Sequence, residues 1–313
     1  MTGYLRQYPP ALQIATFFGL FIGFSLLYGI FLVTVFPYIS GYTIETLQSA
    51  DPSLPKVLGY LKLTQFLYTL VVYMCPAALF AYLADPSPVE WMHLQQPPRV
   101  LPAALAILVM FAALPVVGFT SDWNHTWHLS GASRQMEEQA ELLTRILLKM
   151  PDLGTLLINL VLIAILPAIA EEFFFRGVIQ RLFIQVMPKL PWIGITITAV
   201  IFSAIHMEWL DFIPRIILGF LLGAIYYLSG NLWLSILGHF LNNGMQVVMV
   251  YLYQAKLIHD DPMQSETTAW YSAVLSLIIT VALLWYLRKR SDSPKLITVQ
   301  EPKHDTDIKS IGE

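Results

Sequence analysis

The sequence predicts an all-α polytopic membrane protein of about eight transmembrane helices. Hydrophobic residues make up 56% of the 313 and charged residues only 12%, and the mean hydropathy is +0.61. Apolar stretches repeatedly approach the ~20 residues that cross about 30 Å of hydrocarbon. A third observation points past architecture: Glu171-Glu172-Phe173-Phe174-Phe175-Arg176 closes one of these apolar runs. An ionised side chain deep in a bilayer costs at least ~2.5–3.5 kcal/mol, so such groups turn toward protein or water and act there.

The eight expected spans lie near residues 12–36, 64–83, 100–120, 153–175, 192–209, 212–228, 232–253 and 270–287. The first is longer than a signal-peptide core and lacks a clear small-residue cleavage site, so it reads as a retained span. The fifth and sixth are short and joined by a tight junction around Asp211-Phe212-Ile213-Pro214, which allows a helix–turn–helix that does not fully span. Arg288-Lys289-Arg290 follows the last span, and Arg176, Arg181 and Lys189 follow the fourth. By the excess of cations on cytoplasmic loops, both termini are expected in the cytoplasm.

Residues 121–152 break the charge pattern with Arg134, Arg145 and Lys149. Met136, Ala140, Leu143 and Leu147 recur there at helical spacing opposite Glu137, Glu138, Glu141, Arg145 and Lys149, as in a helix lying on the membrane surface. A lid over a site is the alternative. Residues 1–290 read as one membrane domain, and residues 291–313 as a polar, disordered cytoplasmic tail.

Several classes drop out. The chain has no glycine-rich phosphate loop, zinc ribbon or basic nucleic-acid-binding domain. Its one cysteine, Cys75, precedes Pro76 inside an apolar span, where a thiol is a poor nucleophile. His125 and His128 fit interfacial anchoring beside Trp127 better than a metal pair. Gly219/Gly223 and Gly19/Gly23 are small-xxx-small patterns that permit close helix approach.

The charged segment has a helical phase. Glu172 and Arg176, four residues apart, share a face and form a natural structural ion pair, whereas Glu171 is turned roughly 140° from Arg176 and is left for another task. Pro167, four residues earlier, predicts a bend. Phe202 and His206 share a face of the fifth segment, with Phe202 packing the site, and His239 and Asn243 share a face of the seventh. A carboxylate beside a histidine can deprotonate water, and a second histidine with a carboxamide can stabilise an oxyanion. Alternatively Glu171, His206 and His239, completed by Asn243 or water, would approximate a catalytic zinc site. Straight helices do not make the histidines level: His206 lies ~21 Å along its helix from Trp192, His239 only ~10 Å from Leu232.

The segments EEFFFR at 171–176, FSAIH at 202–206 and HFLNN at 239–243 resemble the EExxxR, FxxxH and HxxxN motifs of the CPBP family, the CAAX-type prenyl endopeptidases and bacteriocin-processing or immunity proteins. The resemblance covers roughly residues 153–253. It implies an intramembrane endopeptidase in which Glu171 and His206 activate water while His239 and Asn243 support the oxyanion. It also implies a membrane-associated protein or peptide substrate, beside the bilayer that the spans require; the short loops and the absence of an organelle-targeting sequence point to a bacterial plasma membrane. No oligomeric state follows. A non-catalytic scaffold or bacteriocin-immunity protein of the same fold is the alternative, and a proton relay the third reading.

Overall fold

Proline and glycine set the helix ends. The computed structural model describes residues 2–51, 54–263 and 267–291; the expected disordered tail, apart from Ser291, lies outside them. Nine principal helices follow in order: α1 Pro10–Thr34, α2 Pro55–Ala84, α3 Val100–Asn124, α4 Gly131–Leu147, α5 Leu153–Val186, α6 Pro191–Ile205, α7 Phe212–Ser229, α8 Leu232–Gln254 and α9 Trp270–Arg290. Proline opens α1, α2 and α6, where its missing N–H is no loss and its fixed φ suits the first turn. Gly230, at φ 63, ends α7 in the left-handed conformation that residues with a Cβ resist.

All eight expected spans are helices, and no strand occurs among the described residues. Six are both long and apolar enough to cross a membrane: α1, α2, α3, α5, α7 and α9. As the sequence suggested, α6 falls short, its 15 residues rising ~22 Å against ~30 Å of hydrocarbon. Helix α8 has the length, 23 residues, but carries His239, Asn242, Asn243 and Gln246. Two boundaries move outward. Helix α2 begins at Pro55 rather than 64, and α5 runs on to Val186, past the expected end at 175. Hydropathy stops at the charges of 171–176, whereas the folded chain buries and pairs them within one continuous helix.

The helices are not uniformly α. π-helical turns occupy Thr69–Met74 in α2, and Leu160–Ile165 and Phe173–Gln180 in α5. The first two stop two residues before Pro76 and Pro167. Proline withholds an N–H and crowds the carbonyl one turn back, and a widened turn absorbs that mismatch. The bend expected at Pro167 thus takes the form of a π turn just ahead of Glu171.

An aromatic core surrounds this part of α5. Phe174 packs on Phe17 and Tyr73, with ring centroids 4.9 and 5.2 Å apart, and Phe175 meets Phe202 edge-on at 5.0 Å. Both phenylalanines are fully buried, so they are packing residues. A second core joins α3, α7, α8 and α9 through Val109, Met110, Ile225, Leu234 and Leu287. Residues such as Leu26 on α1 and Ile278 on α9 remain exposed, as lipid-facing side chains do.

Helix α4 matches the expected amphipathic helix. Leu143 and Leu147 pack against Leu47, Val57 and Leu61, and Arg145 donates to Glu141 at 2.9 Å. Glu137 departs from its expected solvated face: its Oε2 accepts from the Trp209 backbone N–H at 2.7 Å. Four positions of helical phase cannot foresee a partner 72 residues away.

Candidate active site

Helix α5 brings two neighbouring carboxylates into different surroundings. Glu172 and Arg176 are both fully buried, their Oε1 and Nη1 2.6 Å apart. Arg176 also donates to the Gly219 carbonyl at 2.8 Å and lies over the Phe202 ring, 4.8 Å from its centroid. Ser235 Oγ bonds the second oxygen of Glu172. This carboxylate is saturated with partners, and the ion pair read from helical phase is present.

Glu171 faces away from Arg176, toward the histidines. Its Oε2 is 3.9 Å from His206 Nε2 and 3.9 Å from His239 Nε2. The structure therefore brings together three of the four expected catalytic residues. The histidines are level although straight helices do not make them so: Leu232, at the start of α8, is fully buried and donates to the His93 carbonyl, so α8 begins inside the protein.

The outer contacts of each imidazole fix its orientation. His206 Nδ1 is 2.7 Å from the Phe202 carbonyl. A carbonyl only accepts, so Nδ1 carries the proton and Nε2 of the neutral ring presents a lone pair to Glu171. His239 Nδ1 lies 2.9 Å from Glu172 Oε1, which imposes the same tautomer. Phe202 meets both rings edge-on, its centroid 4.9 Å from His206 and 6.0 Å from His239. After His206 the chain reverses through Met207 at φ 59, a left-handed conformation costing a side-chain-bearing residue ~1–2 kcal/mol.

Three acceptors thus converge at separations too long for direct hydrogen bonds, a geometry suited to a water that donates both protons. The zinc alternative fits less well. Tetrahedral Zn–O and Zn–N bonds of about 2.0–2.1 Å bring ligand atoms closer together than 3.9 Å. Among the described residues no group of three or more His, Cys, Asp or Glu is set to hold a metal ion. Asn243 stands apart: its Nδ2 donates to the Ile163 carbonyl at 3.3 Å, and its Oδ1 accepts from Asn242. It shares the α8 face with His239 but is engaged with the π turn of α5.

The segment that carries this constellation can be compared with known proteins. Residues 153–245 match the Rce1-like family, described as type II CAAX prenyl endopeptidase Rce1-like. These residues resemble that family. The family resemblance read from the three motifs holds for this segment, which contains all of them. The uncharacterized protein YpbD of Bacillus subtilis (strain 168) is 34% identical over 87 residues, covering 26% of this chain and 41% of that protein. The chain thus spans about two fifths of the length of this relative. No solved structure matches.

Within and beside the Rce1-like segment, most of the residues that support the site carry no sequence signal. Ser235 bonds Glu172, and Gln180 donates to the Gly223 carbonyl at 3.0 Å. Asn124 of α3 clamps the turn after His206, donating to the Trp209 carbonyl at 2.9 Å and accepting from Ile213 N–H at 2.7 Å. Glu208 and Arg215 pair across that turn. All but the Glu208–Arg215 pair work through contacts between distant segments, and only Gln180 has a sequence signal, as a polar residue one turn beyond Arg176 on the same helix. His125 meets Asp211 at 3.7 Å with both half exposed. A cavity of about 320 Å³, lined by His93, Gln96, Arg99, Asn231 and Arg290 among others, lies at the other end of the bundle and contains no motif residue.

Proposed function

We propose that the protein is an intramembrane endopeptidase of the CAAX type that hydrolyses a peptide bond in a membrane-associated substrate. The observation that carries this reading is the position of Glu171 Oε2, equidistant from two Nε2 atoms while Glu172 is spent on Arg176, Ser235 and His239. Glu171 takes a proton from a water aligned by the Nε2 lone pair of His206, and the oxygen attacks the scissile carbonyl. His239, carrying a solvent proton on Nε2 and backed by the Glu172 carboxylate at Nδ1, donates to the developing oxyanion and keeps that proton through the turnover. Asn243 joins it by releasing its long bond to Ile163. The Glu171 proton then passes to the leaving amine.

This reading places both termini in the cytoplasm of a bacterial plasma membrane, supported by Arg99 at the start of α3, Lys189 beyond the end of α5 and Arg288, Lys289 and Arg290 at the end of α9, helix ends that this topology puts on one side.

The test compares protein termini, by mass spectrometry, in membranes of cells carrying the wild type or equal amounts of Glu171→Ala. New termini confined to the wild type are expected and supply the substrates. Identical profiles, with both proteins folded, would favour the scaffold or immunity role. Glu171→Gln is expected to abolish cleavage of those substrates with little change in melting temperature. The purified wild type is expected to keep its rate in a chelator; loss restored by zinc would overturn the metal-free mechanism.

A further inference from the structure

A cavity of about 320 Å³ opens where α3 and α8 begin and α7 and α9 end. Arg99 and Arg290 both line it, together with His93, Gln96, Ser229 and Asn231, and no aspartate or glutamate does. Two guanidiniums at one cavity repel each other, and no other residue of its lining supplies the opposite charge. The cavity is therefore complementary to an anion. The start of α3 adds to this. Arg99 is its N-cap and no side chain caps the helix, so the Val100 and Leu101 N–H groups, which the helix itself cannot satisfy, favour negative charge on the same side.

Neutral groups hold the walls. Asn231 Nδ2 donates to the Gln96 carbonyl at 3.1 Å while its Oδ1 accepts from Trp233 N–H, and Trp233 Nε1 donates to the Leu94 carbonyl at 3.0 Å. Arg290 Nε donates to the Tyr286 hydroxyl at 3.1 Å, which steadies its guanidinium. A ligand thus meets preformed walls whose charge is carried by arginine, the side chain whose fork matches phosphate oxygens. The position of the cavity selects the kind of phosphate. Lipid-facing surface begins beside it: Val100 is 86% exposed and Trp285 57%, and Lys289 Nζ stands 3.6 Å from the Trp285 ring centroid. Such pairs of an aromatic ring and a cation mark the headgroup level of a bilayer. The volume is at the low end of the ~300–1,000 Å³ of small-molecule sites, enough for a headgroup and too little for acyl chains. A zwitterionic headgroup would bring its own cation against the two guanidiniums, so an anionic one fits better.

We propose that this cavity binds the phosphodiester headgroup of an anionic phospholipid, held by Arg99 at the start of α3 and Arg290 at the end of α9. The inference does not depend on the proteolytic reading. A lipid bound there joins two helix ends and stabilises the folded chain in proportion to its occupancy.

The test follows the melting temperature of the full-length protein in a neutral detergent, at constant ionic strength, during titration with dihexanoyl phosphatidylglycerol, dihexanoyl phosphatidylcholine or inorganic phosphate. Phosphatidylglycerol is expected to raise it saturably, with a midpoint at least about 10-fold below those of the other two. Arg99→Gln and Arg290→Gln are each expected to raise that midpoint about 10–100-fold, the range of a charged hydrogen bond. Arg288→Gln, at an exposed position of the same helix end outside the cavity lining, is expected to leave it unchanged. No response to phosphatidylglycerol, or equal midpoints for the two lipids, overturns the proposal on the wild type alone, with no variant required to fold. An equal midpoint for inorganic phosphate overturns the lipid assignment in favour of a soluble anion. A loss in Arg288→Gln as large as in the lining variants also overturns the proposal, since it marks diffuse attraction to basic helix ends in place of a site.

Discussion

Glu172 and Arg176 show how two full charges are kept in an apolar chain. Neither is exposed, and each is bonded on several sides, Glu172 by Arg176, Ser235 and His239, and Arg176 also by the Gly219 carbonyl. Removing one member strands the other's charge, which in buried pairs costs about 3–5 kcal/mol. Glu172→Gln and Arg176→Ala are therefore expected to lower membrane abundance and melting temperature as well as activity. Glu171→Gln, which breaks no direct hydrogen bond, is expected to lower activity alone. Equal melting temperatures for all three would refute this division of labour. The division was legible in the sequence, because a 100° step per residue separates adjacent side chains whatever surrounds them. That the neighbouring histidines serve different carboxylates was not, since their rotations depend on the Phe202 carbonyl and on Glu172.

Among the helices, the two small-xxx-small patterns make a contrast. A Cβ at Gly219 would stand 3.0 Å from Phe202 Cδ1 and 3.3 Å from the Ala199 backbone, whereas one at Gly19 meets nothing within 4 Å. Gly219→Ala is expected to push α7 from α6, displacing Phe202 and the carbonyl that receives Arg176, at about 1–3 kcal/mol. Gly19→Ala is expected to be neutral or slightly stabilising, since alanine favours helix. Thermal unfolding of the two variants in one detergent checks the pair; equal shifts would show that α6–α7 packing tolerates the added carbon. Both patterns look alike in sequence, and only packing tells them apart. The same holds for α5, whose end hydropathy misplaced because charges paired inside protein do not terminate a helix.

In the molecule as a whole, the loop between α2 and α3 is tied to the junction of α7 and α8. His93 Nδ1 bonds the Gly230 carbonyl at 3.0 Å, and its own carbonyl receives Leu232 N–H. Burial, reinforced by the Arg181 charge and opposed by the Gly230 carbonyl, lowers the His93 pKa to about 4. The unfolded chain holds that proton more tightly, near the ordinary value of 6.5. Stability from the neutral ring is therefore complete above about pH 6.5 and is lost as pH falls toward 4. The melting temperature is expected to drop between pH 7.5 and 5, and His93→Asn, which tolerates the positive φ at this position, is expected to flatten that drop. An unchanged slope would assign it to other groups.

By itself the sequence determined the helical class, the approximate spans, the surface helix around Leu143 and Leu147, the Glu172–Arg176 pair and the motif residues Glu171, His206 and His239. Those follow from local quantities: run length, hydropathy and the angle between neighbours on one helix. The tertiary structure decided that both histidines stand level before Glu171, that Asn243 turns to Ile163 instead, that Glu137 and Asn124 hold the turn after His206, and that Arg215 pairs with Glu208 across that turn. These depend on where separate helices begin, how far they tilt and which backbone groups they leave open. No pattern within a single helix records such distances, because they are set by packing between segments dozens of residues apart.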